Sequence, residues 1–214
     1  MSGRDRNRGS VVERARTVLP PGEVLRGEHC VGLAERAPRP GRFRRPRALR
    51  SESRTLGNWL MLPVFGAARL MSVTWNPFEA LFEALFWREE KKPGKPFHGG
   101  WDSMAGRLAR AVVPRTRNGA VVVMQVTDHR LQLAYVSHAR SLMGGHGPVE
   151  AGWSIDLRHV SWIRDRADVA GGDHEIGFVD GSWCSVHFTG PGWRHMPDAF
   201  PFRLSHLDRN PHAG

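Results

Sequence analysis

The sequence predicts an α+β protein built on a bent antiparallel sheet or small barrel, with a helical insertion and a disordered basic N-terminal region. Three observations carry that expectation. Dense β-branched and alternating apolar runs crowd into residues 119–190. A single long amphipathic segment with clear start and stop signals lies upstream of them, at residues 76–90. Charge is segregated: residues 1–54 hold 14 arginines against 6 carboxylates, while the rest holds 17 Lys or Arg against 15. All eight tryptophans lie beyond residue 58, so core-building side chains and excess charge occupy different parts of the chain.

The sheet is organised around GAVVVMQVTDHRLQLAYVS, residues 119–137. Residues 121–126 form a β-branched run suited to a strand buried on at least one face. Leu131, Leu133 and Tyr135 then alternate with Gln132 and Ala134, the period-2 pattern of a strand with one wet face. Thr127, Asp128 and His129 join the two. Further on, Trp153, Ile155 and Leu157 alternate, as do Val160 and Trp162. A third hairpin turns on Asp180-Gly181-Ser182, where glycine accommodates positive φ. That makes five or six antiparallel strands, with Trp153, Trp162 and Trp183 expected to fill the barrel core. The closing segment predicts a short helix starting at Pro197 that covers one open end of the sheet, interrupted by Pro201.

Upstream, residues 1–14 read as a disordered tail. Residues 15–36 contain the Pro20-Pro21-Gly22 turn and, from Glu23 to Leu33, the mixture of a first strand. Residues 37–55 carry seven arginines and three prolines up to position 54, the composition of a flexible basic loop. Arg42, Arg44, Arg45, Arg47 and Arg50 are the candidate contacts to an anionic surface, either phospholipid headgroups or nucleic acid. Residues 56–113 read as the helical insertion. Within it, Asn76 caps a helix with Pro77 at the first position, and Phe78, Leu81, Phe82, Leu85 and Phe86 share one face. A shorter amphipathic stretch, residues 102–113, has Asp102 or Ser103 as its cap and Met104, Leu108 and Val112 at helical spacing. The sheet domain then spans 114–208, followed by a tail at 209–214.

Three segments, residues 121–136, 152–166 and 175–188, resemble the bacterial pleckstrin-homology-like and GRAM-like domains. Thr127, Asp128, Arg130 and Leu131 match a turn of the family pattern, and Asp180, Gly181 and Ser182 match a later hairpin. The LPPGE segment at 19–23 is similar to the opening of some actinobacterial members. The resemblance implies a PH-like antiparallel sheet, bent or barrel-like and capped by a C-terminal helix, serving as a non-enzymatic module that binds membrane lipids or proteins. Arg130 is then expected to anchor its turn through Asp128.

The sequence offers no constellation of catalytic acid, base or nucleophile. PGKPFHGG has glycines and Lys95 but not the order of a phosphate-cradling loop. Gly181-Ser182-Trp183-Cys184-Ser185 puts a tryptophan where a nucleophile elbow must be tight. His174 with Asp173 and Glu175 is a local trio, yet strand alternation sends neighbours to opposite faces, so no metal site, cofactor or small-molecule substrate is expected. Cys30 and Cys184 are far apart and do not suggest a disulfide framework. The N-terminus lacks a signal-peptide apolar segment, and no window reaches the ~20 apolar residues of a membrane span, which together read as cytoplasmic. The expected partner is a protein or an anionic membrane surface at its inner face, with nucleic acid as the alternative.

Overall fold

The computed structural model describes residues 11–49, 96–116, 119–137, 147–166, 168–169, 172–190 and 192–208. All of these belong to one compact unit, residues 1–50 and 95–214. The other unit, residues 51–94, lies outside the described residues, and with it the helix expected at 76–90.

Among the described residues nine strands form one sheet: β1 (Leu25–Leu33), β2 (Phe97–His98), β3 (Ala120–Thr127), β4 (Arg130–Ser137), β5 (Val149–Asp156), β6 (Val160–Asp165), β7 (Asp173–Phe178), β8 (Trp183–Phe188) and β9 (Arg203–Leu204). The spatial order is β5-β4-β3-β1-β8-β7-β6-β9, with β2 on β8. The path has two ends, so the sheet is open rather than closed into a barrel. Pairing is antiparallel except between β6 and β9. β1 joins the two halves. Its residues from Leu25 to Cys30 pair with β3, and Val31 to Leu33 pair with β8.

The β3–β4 hairpin turns where the sequence placed it, with Asp128 and His129 between the strands. Val122, Met124 and Val126 of β3 and Leu131, Leu133 and Tyr135 of β4 face the main core. Helix α1 (Met104–Ala111) covers that core with Ala105, Leu108 and Ala109, all nearly inaccessible. Ser103 caps it by accepting the Gly106 N–H at 3.1 Å. The opposite face of β4 departs from expectation, because it is not wet, and the same face of β3 is buried with it. Val123, Ala134 and Val136 are fully buried there against Val11 and Ala15. Residues 11–15 are helical and continue into a 3₁₀ turn at Arg16–Val18, so the apolar residues of the expected tail cover the sheet. Gln125 and Gln132 are buried on the same face, where Gln132 Nε2 donates to Gln125 Oε1 at 2.8 Å. Pairing the two amides removes much of the cost of burying them.

Two further expectations are corrected. Trp162 does not enter the main core. The β6–β7 register slips between Val160 and Trp162, a bulge that leaves Val160 and Ile163 inward and turns Trp162 to the other face. Trp183 is half-buried and stacks on His98. Trp153 alone of the three packs against the main core. At the C-terminal end, the expected short helix is instead two 3₁₀ turns, Trp193–His195 and Pro197–Ala199, followed by β9. Met196, Ala199 and Phe200 are still buried in the core, so the segment covers the sheet as expected without α-helical geometry. A Cβ at Gly27 would meet Ala199 Cβ at 2.8 Å, which shows how closely this cover sits on β1.

Strand β7 sends His174 and its two acidic neighbours to opposite faces. Asp173 bonds His187 at 2.7 Å and Glu175 bonds arginines, while the His174 ring packs against Phe188 and Trp193 with no exposure. The Gly172 carbonyl accepts from His174 Nδ1 at 3.1 Å, which leaves Nε2 an acceptor without a partner. Burial lowers the His174 pKa below its ordinary value, outweighing the Gly172 bond and the Asp165 and Asp173 carboxylates, which raise it. A depressed folded-state pKa means that the unfolded chain takes up the proton first as pH falls. Its stabilising effect is therefore complete above the unfolded value of about 6.5 and declines below it. Urea midpoints measured from pH 7.5 to pH 5 are expected to fall more steeply for the native chain than for His174→Leu. Parallel slopes would remove His174 from the account.

Candidate anion-binding site

The basic segment is a seated element rather than a free loop. Arg42–Arg44 form a 3₁₀ turn in which Arg44 N–H donates to Gly41 O at 2.9 Å. Arg45 Nε–H donates to Pro40 O at 2.9 Å. Downstream, Arg115 N–H donates to Pro46 O at 2.7 Å and Ala48 N–H to Arg115 O at 3.1 Å, a short parallel bridge. Ala48 and Leu49 are buried in the main core, and the Leu49 N–H is bonded by the Glu150 carboxylate. These anchors hold Leu49 at φ 57°, a left-handed conformation that a branched side chain seldom adopts. The Ala48-Leu49 pair after the arginines was the sequence signal for this docking.

The turn presents its charge outward. Arg42, Arg44 and Arg47 are exposed and Arg45 is half-buried, whereas Arg50 lies outside the described residues. Phe43, between two arginines, is 93% exposed. Behind the turn is a pocket of about 510 Å³. Arg44, Arg45 and Arg47 line it together with Arg107 and Arg110 of α1. Trp153 and the ring of Tyr135 lie on the β4–β5 side. Among the described residues Glu150 supplies the lone carboxylate of the lining, and it accepts from the Leu49 amide.

Several contacts fix this arrangement. Arg44 lies over the Trp101 ring, 6.0 Å from its centroid. Arg107 Nε–H donates to Asp102 O at 3.1 Å. Tyr135 donates to Ala111 O at 3.0 Å, tying β4 to the last turn of α1. Burial pushes the Tyr135 hydroxyl up to about 12, so it remains a donor at neutral pH. Arg107 and Arg110 were not singled out from sequence. Their i, i+3 spacing puts them on one side of α1, but only the fold brings that side to residues 44–47.

The motif residues behind the family resemblance hold the scaffold together. Thr127 Oγ1 accepts from the His129 and Arg130 amides and donates to Glu23 at 2.7 Å. Arg130 pairs with Glu23 at 2.5 Å, so its turn is anchored to the LPPGE segment and not through Asp128. Asp128 instead accepts from Val24 N–H at 3.0 Å. At the other hairpin, Asp180 accepts from Met104 N–H at 2.9 Å and Ser182 Oγ from Ala105 N–H at 3.0 Å. Asp-Gly-Ser thus satisfies the open amides of α1, and so positions Arg107 and Arg110.

Among the described residues, no group of three or more His, Cys, Asp or Glu is placed to hold a metal ion. Nor is any helix among them long and apolar enough to cross a membrane. No family model, no curated protein and no solved structure matches this chain.

Proposed function

We propose that this chain is a non-enzymatic binding module of the PH-like kind, whose basic segment adsorbs to an anionic membrane surface. The observation that carries the reading is the Arg42–Arg44 turn. It is fixed to the sheet through Pro46, Ala48 and Leu49, and it offers Phe43 to solvent between two guanidinium groups. An exposed aromatic ring flanked by cations suits a headgroup boundary, where the ring enters the interface and the cations meet lipid phosphate. Holding the turn in place lowers the ordering cost that a free loop would meet on adsorption. The PH-like part of the reading rests on the Thr127–Leu131 and Asp180–Ser182 motifs within an antiparallel sheet.

Co-sedimentation with phosphatidylserine-containing and neutral vesicles tests it. Binding to the anionic vesicles alone is expected, weakening with added salt. Each arginine near an anionic leaflet contributes roughly 1 kcal/mol, so Arg42→Gln with Phe43→Ser is expected to weaken binding about tenfold or more. Arg26→Gln, an exposed charge on β1 away from the turn, is the control for net charge. Equal binding to neutral vesicles, or no effect of the double variant, would defeat the reading. Retention on duplex DNA without vesicle binding would move the anionic partner to nucleic acid.

A further inference from the structure

We infer that the pocket behind the basic turn is a binding site for a small soluble molecule carrying two or more linked phosphate groups. This goes beyond surface adsorption, since it uses the inner wall of the segment together with a second element. Five arginines from residues 44–47 and from α1, about sixty positions apart in sequence, line one concavity. Like charges gathered in this way repel one another and oppose folding unless an anion joins them. Among the described residues the carboxylates beside them are two, Glu150 and Asp102. Glu150 is occupied by the Leu49 amide, and Asp102, beside α1, is 96% exposed and reaches Arg110 only at 3.7 Å.

The chemistry of the walls narrows the ligand. Every cation is arginine, whose planar fork matches phosphate oxygens in pairs. Arg45 and Arg107 each give Nε–H to a backbone carbonyl, which fixes the side chain and leaves both Nη groups without a hydrogen-bond partner among the described residues. Arg47 has no side-chain partner among them either. Forks from two separate elements suit several closely spaced charges better than a single one. A volume of about 510 Å³ falls in the range of small-molecule sites, too small for a folded partner. Trp153, held edge-on against Phe178 with ring centroids 6.5 Å apart, offers ring surface beside the cations.

Titration calorimetry of the full chain at 150 mM salt, with inorganic tripolyphosphate, ATP and orthophosphate as probes, tests the site. Tripolyphosphate is expected to bind one per chain, at least tenfold more tightly than orthophosphate. Arg107→Gln with Arg110→Gln is expected to weaken it tenfold or more, and Arg26→Gln to leave it unchanged. Should the double variant fail to fold, Arg47→Gln, on an exposed side chain, is expected to give a several-fold loss. ATP binding more tightly than tripolyphosphate, with the advantage lost in Trp153→Leu, would identify a ring-bearing ligand. Equal affinities would identify the phosphate chain itself. Tripolyphosphate binding no better than orthophosphate, or weakening equally in Arg26→Gln, would overturn the proposal. Vesicle binding is a separate readout. The α1 double variant is expected to keep it, so loss of either activity alone tells the two readings apart.

Discussion

Glu175→Ala is expected to cost about 3–5 kcal/mol, because it leaves two arginines without their shared counter-charge in a buried setting. Glu175 is 1% exposed and lies between Arg164 and Arg166. Arg164 Nη1 donates to Glu175 Oε2 at 3.2 Å, and Arg166 Nη1 donates to Oε1. Asp168 grips the far edge of Arg166 with two bonds, at 2.9 and 3.0 Å. That hydrogen-bonded pairing raises the Arg166 pKa and lowers that of Asp168, so both remain charged at neutral pH. Among the described residues Arg164 has no second carboxylate. Its Nε and Nη2 are already buried without partners, and loss of Glu175 would leave its whole charge uncompensated. Denaturant midpoints check this. Glu175→Leu combined with Arg164→Met is expected to recover most of the loss, since removing both charges also removes their desolvation cost. A loss below about 1 kcal/mol for Glu175→Ala would show that the network contributes little.

Gly177→Val is expected to be at least as damaging, about 3 kcal/mol or more, through overpacking. A Cβ at Gly177 would stand 2.1 Å from Trp162 Cε2. The indole cannot easily withdraw: Trp162 is 2% exposed, and the Arg164 guanidinium lies over it at 5.1 Å. Here the aromatic ring covers the glycine of the neighbouring strand, compensating for its missing side chain. Gly32→Val is the matched control, because a Cβ there meets nothing within 4 Å. The control is expected to shift the midpoint by less than 1 kcal/mol. Similar small effects at both glycines would contradict the packing described around Trp162.

Elements specified by local chemistry could be read from the sequence. The β3–β4 and β7–β8 turns, the period-2 strands and the Ser103 cap each depend on residues within a few positions of one another. What could not be read depends on distant pairing. Gln132 and Ala134 gave the polar and small residues of a wet strand face, but Val11 and Ala15, more than a hundred positions upstream, cover it. The bulge that redirects Trp162 leaves the local composition unchanged and alters only the register. In the basic segment, arginine and proline outweighed Ala48 and Leu49, which are buried in a core built with distant residues of β4 and α1. The same limit applied to the candidate site. Arg42, Arg44, Arg45 and Arg47 were visible as a run, whereas Arg107 and Arg110 join them only through the fold.

The most direct test of membrane adsorption reads the environment of position 43. Both native cysteines are buried, and burial pushes the Cys184 thiol up to about 12, so a thiol-reactive dye reports on Phe43→Cys with little background. An environment-sensitive dye attached there is expected to shift to shorter wavelength on addition of anionic vesicles, to stay unshifted with neutral vesicles and to revert in high salt. An unshifted spectrum with anionic vesicles, or the same shift with neutral ones, would contradict the account.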